Sequence, residues 1–114
     1  MIIFAAELHR DEIADVIANL IAELGDTADA IAYRLTEAGI TGQRADAECC
    51  PIANYLRRHV PCIDSIAAYG DAIEVNTHAG QSLNVRPPEQ VAEFMTMFDQ
   101  LRLPHLITRP EGTR

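Results

Sequence analysis

The sequence predicts a single α+β domain over residues 1–107, with helices packed on one face of a small antiparallel sheet. Apolar residues recur at helical spacing before residue 60 and again after residue 88, whereas residues 63–85 alternate between apolar and polar. The chain of 114 residues is long enough for one modest core, and its 48% hydrophobic and 23% charged residues are typical of a globular domain. Residues 108–114 contain no apolar anchor and are expected to form a flexible tail.

Two amphipathic helices are predicted within the first forty residues. The first spans residues 11–24, and Asp26 or Thr27 caps the second, which ends at Gly39 and Ile40 in a Schellman motif. Because almost no residues separate the two helices, they are expected to form an antiparallel hairpin. The residues predicted to face inward are Ile13, Val16, Ile17, Leu20, Ile21, Leu24, Ala28, Ile31, Ala32 and Leu35.

A short third helix is predicted after a loop at residues 40–49. Cys50 precedes Pro51, which suits the first helical position because its φ is fixed and it lacks an N–H, and Pro61 stops the helix. The residues predicted to form its buried face are Ile52, Tyr55, Leu56 and His59.

A three-stranded antiparallel β-meander follows, with one face in solvent. Its first two strands form a hairpin around Gly70 and Asp71, and the chain turns again at residues 79–81. The residues predicted to face inward are Ile63, Ala67, Tyr69, Ile73, Val75, Thr77, Leu83 and Val85.

A C-terminal helix is predicted to open at residues 87–89 and to end at Pro104. Its inward residues are predicted to be Val91, Phe94, Met95, Phe98 and Leu101.

The net charge of −8 lies mainly in the N-terminal half, because the first fifty residues hold ten acidic residues and three arginines. Such a field repels phosphate backbones, so nucleic acid is not an expected partner. It favours another protein with a basic surface, and the binding residues predicted on the helical hairpin are Asp11, Glu12, Asp15 and Glu23. The wide apolar stripe of the first helix also suggests a homodimer through the hairpin.

The expected compartment is the cytoplasm. The apolar run at the start has six residues without a basic segment before it, which is not the pattern of a signal peptide. No segment approaches the ~20 apolar residues of a membrane span, and three cysteines do not suggest a disulfide framework.

Cys50 is the candidate for thiol chemistry. At a helix N-terminus, unpaired N–H groups and the helix dipole stabilise a thiolate and lower its pKa. Free cysteines are nevertheless often inert and buried, and no base lies nearby in the sequence. A structural thiol is therefore the favoured interpretation, and a thiol-dependent enzyme or redox sensor is the alternative.

Cys49, Cys50, His59 and Cys62 are ligands of the types that zinc prefers. Adjacent cysteines and a gap of two helical turns do not match the paired spacing of structural zinc sites. A small zinc-binding module is thus a third interpretation, and neither a metal nor another cofactor is expected to be required for folding.

The segment Cys-Pro-Ile-Ala-Asn-Tyr-Leu at residues 50–56 resembles a motif of small uncharacterised proteins of actinobacteria and their phages. The likeness covers roughly residues 28–107 and includes residues 39–42, 87–94, 98–99 and 104–106. The absence of lysine agrees with a GC-rich source. This resemblance implies no activity, but it points to Cys50 as the more meaningful cysteine.

Together these observations favour a small regulatory or accessory domain that binds a protein and catalyses no reaction.

Overall fold

The computed structural model describes residues 10–44, 46–100 and 102–107, and within them the predicted α+β class is confirmed. The tail predicted at residues 108–114 and the inward position predicted for Leu101 lie outside the described residues. The sheet is antiparallel with strand order β1-β2-β3. No helix in the described ranges combines the length and apolar character needed to cross a bilayer. The elements are α1 Arg10–Leu24, α2 Ala28–Glu37, α3 Pro51–His59, β1 Ile63–Ala68, β2 Ile73–Thr77, β3 Ser82–Val85, α4 Glu89–Asp99 and a 3₁₀ helix at Pro104–Leu106.

Both predicted ends of α2 are confirmed. The Oγ1 atom of Thr27 accepts a hydrogen bond from the N–H of Ala30 at 3.0 Å and caps the helix. At the other end, Gly39 has a φ of 72° and donates to Thr36, and Ile40 donates to the carbonyl of Leu35. This pair of bonds is a Schellman motif, which satisfies carbonyl groups that the helix itself leaves unpaired.

Val16 does not face inward as predicted, since 41% of it is exposed. Helix α1 packs mainly against β3, whereas α2 packs mainly against α4. The two helices therefore cover each other less than a close hairpin would, and the flank of α1 that carries Val16 stays in solvent. Ile13, Ile17 and Ile21 form the buried stripe.

The inward positions predicted on β1 are wrong after its first residue, because the strand contains a β-bulge. Ile63 pairs with Thr77, but Ser65 pairs with the next residue of β2, so Asp64 is an extra residue in the ladder. One extra residue reverses the alternation of side chains. Ile66 and Ala68 are buried as a result, and Ala67 and Tyr69 are not.

The other two strands follow the predicted pattern, with one apolar and one solvent face. Ile73 and Val75 of β2 and Leu83 and Val85 of β3 are buried. Glu74, Asn76, Ser82 and Asn84 on the opposite face are exposed.

Two predictions at helix C-termini are wrong. His59 is exposed in the last turn of α3, where its ring packs against Tyr55 with centroids 4.6 Å apart and its remaining surface meets solvent. Helix α4 ends at Asp99 rather than at Pro104. Pro104 instead begins the 3₁₀ helix, which places Leu106 in the core.

Asn54 of α3 holds the preceding loop in place. Its amide group donates to the carbonyl oxygen of Thr41 at 2.7 Å and to that of Cys49 at 3.0 Å. Its side-chain oxygen accepts a hydrogen bond from Arg57, which also donates to the carbonyl of Glu48. One side chain thus joins the two ends of the loop to the helix.

Gly42 lies where this loop passes over the start of α3. A Cβ atom at residue 42 would lie 2.4 Å from the backbone nitrogen of Pro51 and 2.6 Å from the carbonyl oxygen of Cys49. The N–H of Gly42 donates to the carbonyl of Leu106 at 2.9 Å, and Gly42 forms a parallel bridge with Ile107. Only a residue without a side chain fits between α3 and the 3₁₀ helix.

We predict that Gly42→Ala lowers the free energy of unfolding by about 3 kcal/mol, because backbone atoms must move to admit the methyl group. Gly70→Ala is the matched control, since its nearest neighbour, the Cβ of Ala92, would lie at 3.5 Å, an ordinary contact. Urea denaturation of the two variants measures the difference. Equal losses in both would show that the close approach at Gly42 does not constrain the fold.

Candidate functional site

A cleft of about 260 Å³ opens beside Cys50, at the N-terminus of α3. The loop before α3, the end of β1 and the last turns of α4 form its walls. Its lining residues are Asp46, Ala47, Cys50, Ala68, Tyr69, Gly70, Met95 and Asp99.

Cys50 caps α3 and is buried, as the sequence predicts, with 5% of its surface exposed. Its Sγ atom accepts a hydrogen bond from the N–H of Ala53 at 3.5 Å. The thiol faces the carbonyl oxygen of Ala47 at 3.8 Å, to which it donates. This thiol caps the helix, as a serine or aspartate side chain does at other helix N-termini.

Burial raises the pKa of the Cys50 thiol, and it outweighs the opposing effect of the N–H groups of Ala53 and Ile52. The negative charge of Asp99 raises that pKa further. The lower pKa expected from the helix N-terminus is therefore not realised. At neutral pH the thiol is protonated and is a poor nucleophile.

The three histidines within the described residues have other neighbours. His59 packs on Tyr55, His105 lies 3.0 Å from the hydroxyl of Thr36, and His78 pairs with Asp64. The Nδ1 atom of His78 and the Oδ1 atom of Asp64 are 3.3 Å apart. The ionisable groups that line the cleft with Cys50 are carboxylates and a tyrosine, which do not form a thiol and imidazole pair.

No three of the four candidate metal ligands lie close enough together to bind one ion. Cys49 is half-buried, His59 is exposed, and Cys62 is buried just before β1, where burial raises the pKa of its thiol. Among residues 10–44, 46–100 and 102–107, no group of three His, Cys, Asp or Glu side chains is arranged to hold an ion.

The acidic residues predicted to bind a partner lie along the whole of α1 rather than in one pocket. Asp11, Glu12, Asp15 and Glu23 are all exposed. Asp11 and Glu23 are separated by about 18 Å along the axis, at 1.5 Å per residue. Asp11 lines a groove beside β3, whereas Glu23 is near Tyr55, whose pKa is raised by burial and then by the Glu23 charge.

Two features of the structure were not assigned from the sequence. Asn54 stands within the motif at residues 50–56, but the sequence does not reveal that its amide joins two loop carbonyls. Glu74 and Asn84 line the same groove as Asp11. Their alternation with apolar residues predicted a solvent face, but it did not show that α1 borders this face.

No family model, curated protein or solved structure matches the chain. The assignment of a function therefore depends on the chemistry of these surfaces alone.

We predict that Ellman's reagent labels the half-buried Cys49 first in the native protein, and Cys50 and Cys62 about tenfold or more slowly. Burial limits access to these two thiols and raises the pKa of both. Mass spectrometry of the quenched protein identifies the labelled residue. Rapid labelling of Cys50 with a pH midpoint below ~8.5 would support the thiol-enzyme interpretation.

We also predict a specific alkaline loss of stability from Cys50. Its folded pKa lies above the ordinary value of 9.0, so its contribution is complete below pH 9.0 and is lost as pH rises through the folded pKa. The free energy of unfolding of the wild type should fall more steeply above pH 9.0 than that of Cys50→Ala. The variant itself should be about 1 kcal/mol less stable at neutral pH, because it lacks the cap. Parallel pH curves would contradict the prediction.

Proposed function

We propose that this protein is a small acidic domain that binds a basic surface of another protein and acts as a regulatory or accessory factor without catalysis. The observation that carries the proposal is the environment of Tyr33 on α2. This tyrosine is 67% exposed, and the exposed residues Asp29 and Glu37 lie one helical turn before and after it. A large aromatic side chain between two carboxylates is suited to an interface with a cationic partner.

Tyr33 supplies contact area at low entropic cost, since few rotatable bonds need to be fixed. Tyrosine is also among the residues enriched at the energetic centres of protein interfaces. Its ring can pack against the apolar stem of an arginine or lysine while Asp29 and Glu37 face the charged end.

Helix α1 also presents an exposed apolar residue among carboxylates. Val16 is 41% exposed, with the exposed Glu12 one turn before it and the exposed Glu23 two turns after it. The net charge of −8 would speed association with a basic partner and repel nucleic acid. The same charge opposes close approach of a second copy, so the homodimer is the weaker of the two modes of association.

The Cys50 cleft gives less support to an enzyme or redox sensor, because its thiol has a raised pKa and carboxylates for neighbours. A cytoplasmic location and an actinobacterial or phage source remain parts of the proposal that rest on the sequence.

We predict that Tyr33→Ala weakens capture of the partner from a host lysate at least tenfold, with an unchanged thermal midpoint, since an exposed side chain contributes little to folding. Tyr69→Ala is the matched control, because Tyr69 is 45% exposed and lies beside the Cys50 cleft instead. Capture should also decrease as salt rises. Loss of binding in Tyr69→Ala alone, or capture that is insensitive to salt, would contradict the proposal.

A further inference from the structure

Strand β3 is an edge strand of the sheet within the described part of the chain. It pairs with β2 on one side, and the sheet order leaves its other side without a strand. Thr77 donates to the carbonyl of Gln81, and hydrogen-bonded pairs alternate along an antiparallel ladder. Leu83 and Val85 therefore bond to β2, whereas the N–H and C=O groups of Ser82 and Asn84 point away from it.

A groove of about 540 Å³ runs beside this edge, between the first turns of α1 and the solvent face of the sheet. Ser82 and Asn84 of β3 form part of its wall together with Asn76. The groove also contains two exposed carboxylates, Asp11 of α1 and Glu74 of β2.

We propose that this edge receives an extended, arginine- or lysine-bearing segment of the partner protein as a fourth strand. This inference rests on the proposed function and names the form of the bound segment. The outward N–H and C=O groups of Ser82 and Asn84 would pair with its backbone, as in other cases of strand addition. Asp11 and Glu74 would select its charge.

The geometry permits this selection. A residue placed opposite Asn84 would lie two strands, about 9.6 Å, from Glu74, which pairs with Asn84 across the ladder. An arginine and a glutamate side chain together span that distance. A second copy of this chain is a poorer occupant, because its own Asp11 and Glu74 would be brought near the same carboxylates in a molecule of net charge −8.

The test uses a synthetic eight-residue peptide of alternating arginine and valine and the ¹⁵N-labelled full chain. In the free monomer, the amides of Ser82 and Asn84 should exchange with solvent faster than those of Leu83 and Val85. The peptide should protect these two amides. If they are already protected in the monomer, another part of this chain covers the edge and the proposal is wrong. Protection that appears only on dimerisation would assign the edge to a second copy and would also overturn it.

Matched variants separate charge from strand pairing. Asp11→Asn and Glu74→Gln should each lower the affinity for the peptide about two- to fivefold, and Glu93→Gln on α4 should leave this affinity unchanged. Asn84→Pro should abolish protection of Ser82 while the thermal midpoint is retained, since proline is tolerated where an edge N–H faces solvent. Equal effects of Glu74→Gln and Glu93→Gln would contradict the role of the groove.

The peptide also has a control that distinguishes the two proposals. A peptide of the same charge with central prolines cannot pair along the edge. If it binds as tightly as the first peptide, the strand-addition inference fails while electrostatic binding of a basic partner stands. A further outcome is that the alternating peptide protects Ser82 and Asn84 while Tyr33→Ala retains full partner capture. That result would support strand addition at β3 and would contradict partner binding through Tyr33.

Discussion

The structure depends on one close approach, in which the backbone of Gly42 passes between the start of α3 and the 3₁₀ helix with no room for a side chain. This approach allows the loop before α3 to be held on both sides, by Asn54 from the helix and by the carbonyl of Leu106 from the C-terminal segment. Arg44 extends the same arrangement, because its guanidinium donates to the carbonyl of Asp99 at the end of α4. A segment without regular structure thereby joins the helices that enclose the core.

This arrangement also explains why a cysteine and an asparagine near a helix N-terminus need not indicate catalysis. Cys50 accepts a hydrogen bond from the N–H of Ala53 in the first turn of α3, and Asn54 donates to the loop carbonyl groups of Thr41 and Cys49. Burial raises the pKa of the Cys50 thiol despite its place at the helix N-terminus. The side chains of Cys50 and Asn54 are thus used to satisfy backbone polar atoms of the helix and the loop.

Local patterns predicted the class, the order of the elements and both ends of α2, because helix caps and apolar spacing depend on neighbouring residues. The wrong predictions concern residues whose burial is determined by contacts with distant parts of the chain. The bulge at Asp64 reverses β1 against its partner strand, and the packing of α2 on α4 leaves Val16 exposed. The groove beside β3 could not be predicted for the same reason, since Asp11 and Glu74 are brought together only by the packing of α1 on the sheet.

The bulge in β1 affects how the sequence of this chain aligns with that of a homologue. Asp64 interrupts the alternation of β1: the buried position before it, Ile63, has an odd residue number, and the buried positions after it, Ile66 and Ala68, have even ones. A homologue that lacked this one residue could keep the same pairs with β2 from the equivalent of Ser65 onwards, and its apolar residues would then alternate regularly along the whole strand. An alignment without a gap at this position would then count matching core residues as substitutions. It would underestimate the sequence similarity of two chains that form the same sheet.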